Sequence, residues 1–235
     1  MLQHRSNRGA WDEIIGVVKK SPLFIFPSKS EKNKKFDVVQ QCLNTWFDRA
    51  LAVENNWQYH PLATAIEKSR LAADFHKNFD HVKIQAEVQF GNMSRWYSDI
   101  FKLQTAYSQS LVDIGLSIVP TAALAARIGS NIAHYERVIR ELPSANLSIT
   151  LPILVIGVEP NRATKTVDLS RIDIPKSDSA KNDGPSKFTE LDRYRIVNAL
   201  FEGQDPHAVT RNSPTGTIPK PIVNVPDDED EGDTG

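Results

Sequence analysis

Several features that commonly betray a protein's chemistry are missing from this sequence. It has one cysteine, Cys42, in 235 residues, which excludes a disulfide framework and a cysteine-ligated zinc site. No apolar run nears the roughly 18 residues of a membrane span, and no charged-then-apolar leader opens the chain. The expectation is a protein of the reducing cytoplasm with no membrane partner. There is no internal repeat, no glycine-rich phosphate loop, and no serine or cysteine nucleophile with a companion base. His76 and His81 lack a third ligand at zinc-like spacing, and His60 precedes a proline in an irregular stretch, so the histidines read as structural.

What is present is a soluble composition, 40% hydrophobic and 24% charged. The formal net charge of -1 hides an asymmetry, because Asp227–Gly235, "DDEDEGDTG", holds six acids and no base. Taking six from 29 leaves 23 acids against 28 bases, or +5 for residues 1–226. That balance permits a polyanionic partner without requiring one. The lysine-rich Lys29–Lys35 reads as a solvated loop that could also touch phosphates.

Periodicity organises the rest. "AWDEIIGVVKK" reads as a short helix or strand, followed by the turn-prone "FIFPS". From Phe36 to Glu54, Val39, Leu43, Trp46, Phe47 and Ala50 recur at helical spacing. Leu71–Lys77 and Val82–Phe90 read as two strands around a turn at Asn78–His81. Asn92–Leu111 reads as a helix, and "VDIGLSIVP" as a strand with one buried face. A helix from Pro120 to Leu142 follows, and "LPILVIGVEP" has the near-continuous apolarity of a strand covered on both faces. The order β, β, α, β, α, β from Arg70 predicts an α/β fold, a mixed central sheet flanked by helices. Residues 1–160 then form one unit, with a helical part over 1–60 and an α/β core over about 70–160. Residues 161–203 read as linker plus a peripheral helix, "FTELDRYRIVNALFEG", and 204–235 as a flexible, proline-rich and acidic tail.

One stretch resists this apolar account. In "AEVQFGN", Ala86–Asn92, Glu87 and Gln89 point to the same face of a strand that otherwise suits burial. A hairpin centred near Asp80 and His81 sets Asp74 across from Glu87, with side chains about 5 Å apart. Two like charges so placed repel unless something positive lies between them. Such carboxylates, with the carbonyl of Val88, can hold a hard cation such as Mg²⁺ through oxygen, and that cation can activate water against a phosphate. Asp80, seven residues before Glu87, is the alternative to Asp74. Asp74 is preferred because Asp80 falls in the turn.

This is the skeleton of the PD-(D/E)xK nuclease site, with Gln89 at the position usually held by lysine. "ADFHK", "AEVQFGN", "RWYSDIFKLQ", "DIGLSIVP", "AHYERVIREL" and "LPILVIGVEP", taken in order, resemble the BglII/BstYI-type restriction endonucleases, in which Glu-x-Gln replaces Glu-x-Lys. The resemblance spans about Arg70 to Pro160. It implies Asp74, Glu87 and the Val88 carbonyl as Mg²⁺ ligands and Gln89 as a water-positioning group. It further implies a homodimer that cuts double-stranded DNA at a short palindrome, with a GATC core the first to test. Asn92 then approaches the DNA, although capping the next helix is an equal use for it. Arg95 suits a phosphate, and Ser130 and Asn131 interrupt an alanine-rich helix where DNA-reading side chains would be useful. Two other readings remain at this level. One is another nuclease on the same scaffold, for repair, nicking or modified DNA; the other is a non-catalytic DNA-binding module.

Overall fold

The computed structural model describes residues 7–27, 29–30, 32–66, 68–145, 149–174 and 188–222. Helix α1 (Arg8–Lys20) buries Ala10, Ile14 and Val17 along one stripe and closes on Lys19 and Lys20, which suit the negative end of its dipole. Ser21 is extended, as the residue before a proline tends to be. Strand β1 (Leu23–Ile25) occupies what reads as a turn. Lys29 is structural: its Nζ donates to the carbonyls of Val38 at 2.6 Å and Ile128 at 2.7 Å. Helix α2 (Gln40–Phe47) runs directly into a π-helical stretch, Asp48–Glu54.

The central sheet has five strands in the order β2-β3-β4-β5-β6. Strands β2 (Gln58–Tyr59), β3 (Phe75–Phe79) and β4 (Val82–Val88) are antiparallel neighbours. The β3–β4 register, Phe75↔Ala86 to Phe79↔Val82, puts Asp80 and His81 in the turn as expected. Strand β3 starts later than Leu71 because 71–74 bonds instead to residues 60–63, as in Ala63 N–H to Leu71 O at 2.8 Å and Ala73 N–H to Pro61 O at 2.8 Å.

Helix α3 (Met93–Ser108) leads to β5 (Ile114–Pro120), which runs parallel to β4. Strand β5 is buried on both faces, where one was expected. Its second face carries residues small enough to lie under a helix. A side chain on Gly115 would meet Leu103 and Leu151, and Ser117 Oγ accepts from Trp96 Nε1 at 3.2 Å.

The single helix expected over 120–142 is two, α4 (Ala122–Ile128) and α5 (Tyr135–Glu141). Between them Asn131 adopts φ 57°, and the chain bridges to the loop before α3. Met93 N–H donates to Asn131 O at 3.1 Å and Ala133 N–H to Gly91 O at 2.9 Å. Strand β6 (Ile153–Val158) is the sheet edge, and all but Val158 are partly exposed. Its apolarity therefore reflects packing on part of its surface rather than burial on both faces.

The stretch after Pro160 is more integrated than its composition suggests. Strand β7 (Thr166–Asp168) pairs in parallel with β1, burying Val167. Helix α6 (Glu190–Phe201) packs on α2 through stacked Phe201 and Trp46 rings, 5.8 Å apart, with Ile196 and Val197 fully buried. Residues 204–222 continue along the protein: Arg195 Nε donates to Ser213 O at 2.8 Å and Ile222 N–H to Tyr59 O at 3.0 Å. Residues 175–187 of the expected linker and 223–235 of the expected tail lie outside the described residues.

The sheet divides two apolar clusters. One joins α1, α2 and α6 to Ile84, Ala86, Leu116 and Ile118. The other lies under α3 and α5 around Trp96, Leu103, Val119 and Val138. Between α3 and β4 this second layer turns polar. No helix among the described residues is long and apolar enough to cross a membrane.

Candidate active site

Strand β4 presents Gln85, Glu87 and then Gln89 to the α3 side. Continuing the hairpin register one residue past Phe75↔Ala86 sets Asp74 against Glu87. Asp74 Oδ2 accepts from the Val88 N–H at 2.9 Å, tying the aspartate to the end of β4. On the other side Gln89 N–H donates to Ile118 O at 2.9 Å, so β5 supports the same strand end.

Glu87 is 0% exposed, so its charge must be matched inside the protein. Lys102, from α3, stands 2.6 Å from Oε2, and Gln85 Nε2 donates to Oε1 at 3.2 Å. Lys102 also lies 3.0 Å from Asp99 Oδ1. Asp99 Oδ2 accepts from Gln89 Nε2 at 2.9 Å, and Gln89 Oε1 accepts from the Gly91 N–H at 2.7 Å. A Cβ at Gly91 would stand 2.6 Å from Gln89 Oε1, so any larger residue there would displace this amide.

The electrostatics follow from crowding. Burial pushes the Glu87 carboxyl well above the usual range, and Asp74 adds to the rise against the pull of Lys102. Burial also raises Asp99 and Asp74, with Lys102 opposing in each case. For Lys102, burial alone would lower the ammonium's pKa, but Glu87, Asp74 and Asp99 together outweigh it and push it up. Three carboxylates and one ammonium leave two negative charges to balance when all are ionised.

These groups border a polar cavity of about 490 Å³. Asp74, Gln89, Asp99 and Lys102 lie on its wall, whereas Glu87 does not: Lys102 stands against it. Asn44 and Asp48 come to the wall from the α2 side, and Glu190 and Arg193 from α6. Burial, then the charge of Asp74, raises the Asp48 carboxyl to about 7. No three His, Cys, Asp or Glu side chains among the described residues form a ready-made metal cage. The donor set is nevertheless all oxygen and doubly negative, which is the chemistry a hard divalent cation takes.

The structure therefore gathers Asp74, Glu87, Val88 and Gln89 at one place. Asp80 is exposed at the far end of β3, on the order of 20 Å from Asp74 by strand rise. Arg95 lines the cavity. Asn92 is the N-cap of α3, its Oδ1 accepting from Arg95 N–H at 3.0 Å and Ser94 Oγ at 2.6 Å. Ser130 and Asn131 are exposed on the loop bridged to Asn92, so these three share one rim.

Sequence reasoning missed Asp99 and Lys102, and it read His60 as structural without placing it at the cavity. The signal for Asp99 was its place on the stripe Trp96, Asp99, Leu103, Ala106, where an acid needs a partner. His60, with φ 50°, stacks on Tyr59 at 3.9 Å and borders the cavity. Asp48, Glu190 and Arg193 arrive through long-range packing that leaves no local signal.

Comparison with known proteins identifies the family and the fold. No curated protein matches the chain in sequence. The fold is similar to the crystal structure of restriction endonuclease BglII complexed with a DNA 16-mer, with a TM-score of 0.55 and 16% identity over 66% of this chain and 73% of that one. The model of restriction endonuclease BglII/BglIII matches residues 1–158. The chain thus belongs to the BglII/BglIII restriction endonuclease family and is a type II restriction endonuclease.

Proposed function

We propose that the protein hydrolyses phosphodiester bonds of double-stranded DNA at a short palindrome, with Mg²⁺, as a cytoplasmic homodimer. The observation that carries the metal assignment is the meeting of Asp74 and Glu87 at the end of β4, where, with Asp99 and Lys102 counted and all four ionised, two negative charges remain. Restriction endonucleases are generally metal-dependent. Here Asp74, Glu87 and the Val88 carbonyl would hold Mg²⁺, which lowers the pKa of a bound water and offsets phosphate charge. Gln89, expected to position water, has its amide engaged by Asp99 and Gly91, so it would orient water only after one of these bonds yields.

Arg95 suits a backbone phosphate at the cavity mouth, which positions DNA without reading it. Asn92, Ser130 and Asn131 form the adjoining polar rim that suits base edges. Tyr97, Phe101 and Ile139 are 49%, 63% and 44% exposed on α3 and α5. Tyr97 and Phe101 border an apolar groove between α3 and the end of α5, and such exposed apolar surface supports a self-complementary interface.

The test is digestion of unmethylated DNA rich in GATC-centred sites, with Mg²⁺ or with chelator. Discrete metal-dependent fragments are expected, lost in Glu87→Ala and Asp74→Ala but kept in Asp80→Ala. A metal-independent digest, or full activity in Glu87→Ala, removes the assignment; light scattering gives the oligomeric state.

A further inference from the structure

Gln89 brings no charge to the strand end, and its amide is already committed: Nε2 to Asp99 and Oε1 to Gly91. Hydrolysis of a phosphodiester nevertheless concentrates negative charge on the phosphate oxygens as the water oxygen bonds to phosphorus. Among the described cations on the cavity wall, Arg193 is spent on Thr45 Oγ1 at 3.3 Å and Phe188 O at 3.2 Å. Arg95 is exposed at the mouth. Lys102 alone of these forms ion pairs with the site carboxylates, at 2.6 Å to Glu87 and 3.0 Å to Asp99. Its long stem reaches from α3, a rigid helix whose Trp96 and Leu103 are locked in the core.

The geometry points to Lys102 as the site's movable positive charge, counterion of Glu87 in the metal-free protein and contact for the scissile phosphate once Glu87 engages a divalent cation. This rests on Asp74 and Glu87 being the metal-binding pair. Lys102 supplies from α3 what Gln89 does not supply from β4. Its ammonium stays protonated throughout and donates N–H bonds to a non-bridging phosphate oxygen. The water oxygen forms a bond to phosphorus and the ester P–O bond breaks. One water proton ends on the leaving alkoxide and the other is released from the phosphate monoester product.

The arrangement makes Lys102 a competitor of the metal and a helper of turnover, and a purely structural residue would not combine these effects. Lys102→Met and Lys102→Gln, both checked for native circular dichroism, would be titrated with Ca²⁺ by calorimetry without DNA and assayed for cleavage with Mg²⁺. Expected is Ca²⁺ binding tighter by roughly tenfold, as an ammonium leaves Glu87, and a kcat lower by about 10²–10³-fold, the cost of losing one charge-stabilising donor. Gln89→Lys added to either variant should recover at least about tenfold in kcat, because the charge returns from the neighbouring strand. Weaker Ca²⁺ binding in a folded variant, a kcat within threefold of wild type, or no recovery in the double variant would overturn the proposal. Asp74→Ala and Glu87→Ala serve as controls that must abolish Ca²⁺ binding. If they do not, the metal-binding pair itself is wrong and the proposal falls with it, a result separable from a failure of Lys102 alone.

Discussion

Asp48 offers a direct measure of how burial and neighbouring charge act on the cavity wall. The residue opens the π-helical turn after α2, and its carboxyl is raised from 3.8 to about 7, by burial first and then by Asp74. The Tyr194 hydroxyl, 3.5 Å from Oδ2, only partly compensates. Because the folded pKa lies above the unfolded one, the native state holds the extra proton between the two values. Stability therefore falls as pH rises through that window, and the cost is complete only above the folded pKa. From 3.8 to about 7 the cost is roughly 4 kcal/mol at about 1.36 kcal/mol per tenfold change in proton affinity. It is a ceiling, since the carboxylate keeps some solvent contact at the cavity wall. Asp48→Asn keeps an acceptor for Tyr194 and removes the charge. In urea unfolding with chelator, the variant's advantage over wild type should grow by up to about 3 kcal/mol between pH 5 and pH 8. A gap that stays constant over that range, or a variant less stable at pH 8 than at pH 5 relative to wild type, refutes the reasoning.

Two further outcomes test the packing around the site. Gly115→Ala would place a Cβ 2.8 Å from Leu151 and 3.2 Å from Leu103, both buried. Overpacking of this kind costs about 1–3 kcal/mol, so the melting temperature should fall; an unchanged value means that α3 rides more loosely on β5 than described. Truncation after Val158, where the family match ends, removes buried Val167, Leu169, Ile196 and Val197. At about 1.5–3 kcal/mol each, that approaches the whole 5–15 kcal/mol of a typical domain. The shortened chain should lose its cooperative thermal transition, and a soluble, cooperatively melting 1–158 fragment would contradict this.

The sequence was most legible where one local pattern fixed one answer. The hairpin register came from the turn at Asp80 and His81, and with it the opposition of Asp74 and Glu87. The helix of Met93–Ser108 came from its apolar stripe. Legibility failed where the deciding contacts were remote. Alternation in "VDIGLSIVP" suggests one open face, yet Gly115 and Ser117 are small because Leu103, Leu151 and Trp96 occupy the space above them. The helix over 120–142 divides because its middle bonds to residues 91–93, forty positions earlier. Asp99 and Lys102 lie 12 and 15 residues beyond Glu87, and only the α3–β4 packing makes them its neighbours.

The site's place in the topology explains how its carboxylates are brought together. In the central sheet, β4 alone has an antiparallel neighbour on one side and a parallel neighbour on the other. At its end the two pairings diverge: the Val88 N–H turns to the Asp74 carboxylate, and the next N–H, of Gln89, turns to Ile118. A carboxylate is thus drawn in by the backbone itself, beside a second one that burial alone would reject. The hairpin and α3 supply the charge, and both fall inside the family match. Glu190 and Arg193, also on the cavity wall, come from α6 beyond residue 158. The cavity wall is thus shared along the chain, with Asn44, Asp48, Arg95 and the carboxylates inside the match and Glu190 and Arg193 beyond it, so the site is complete only when α6 packs on α2.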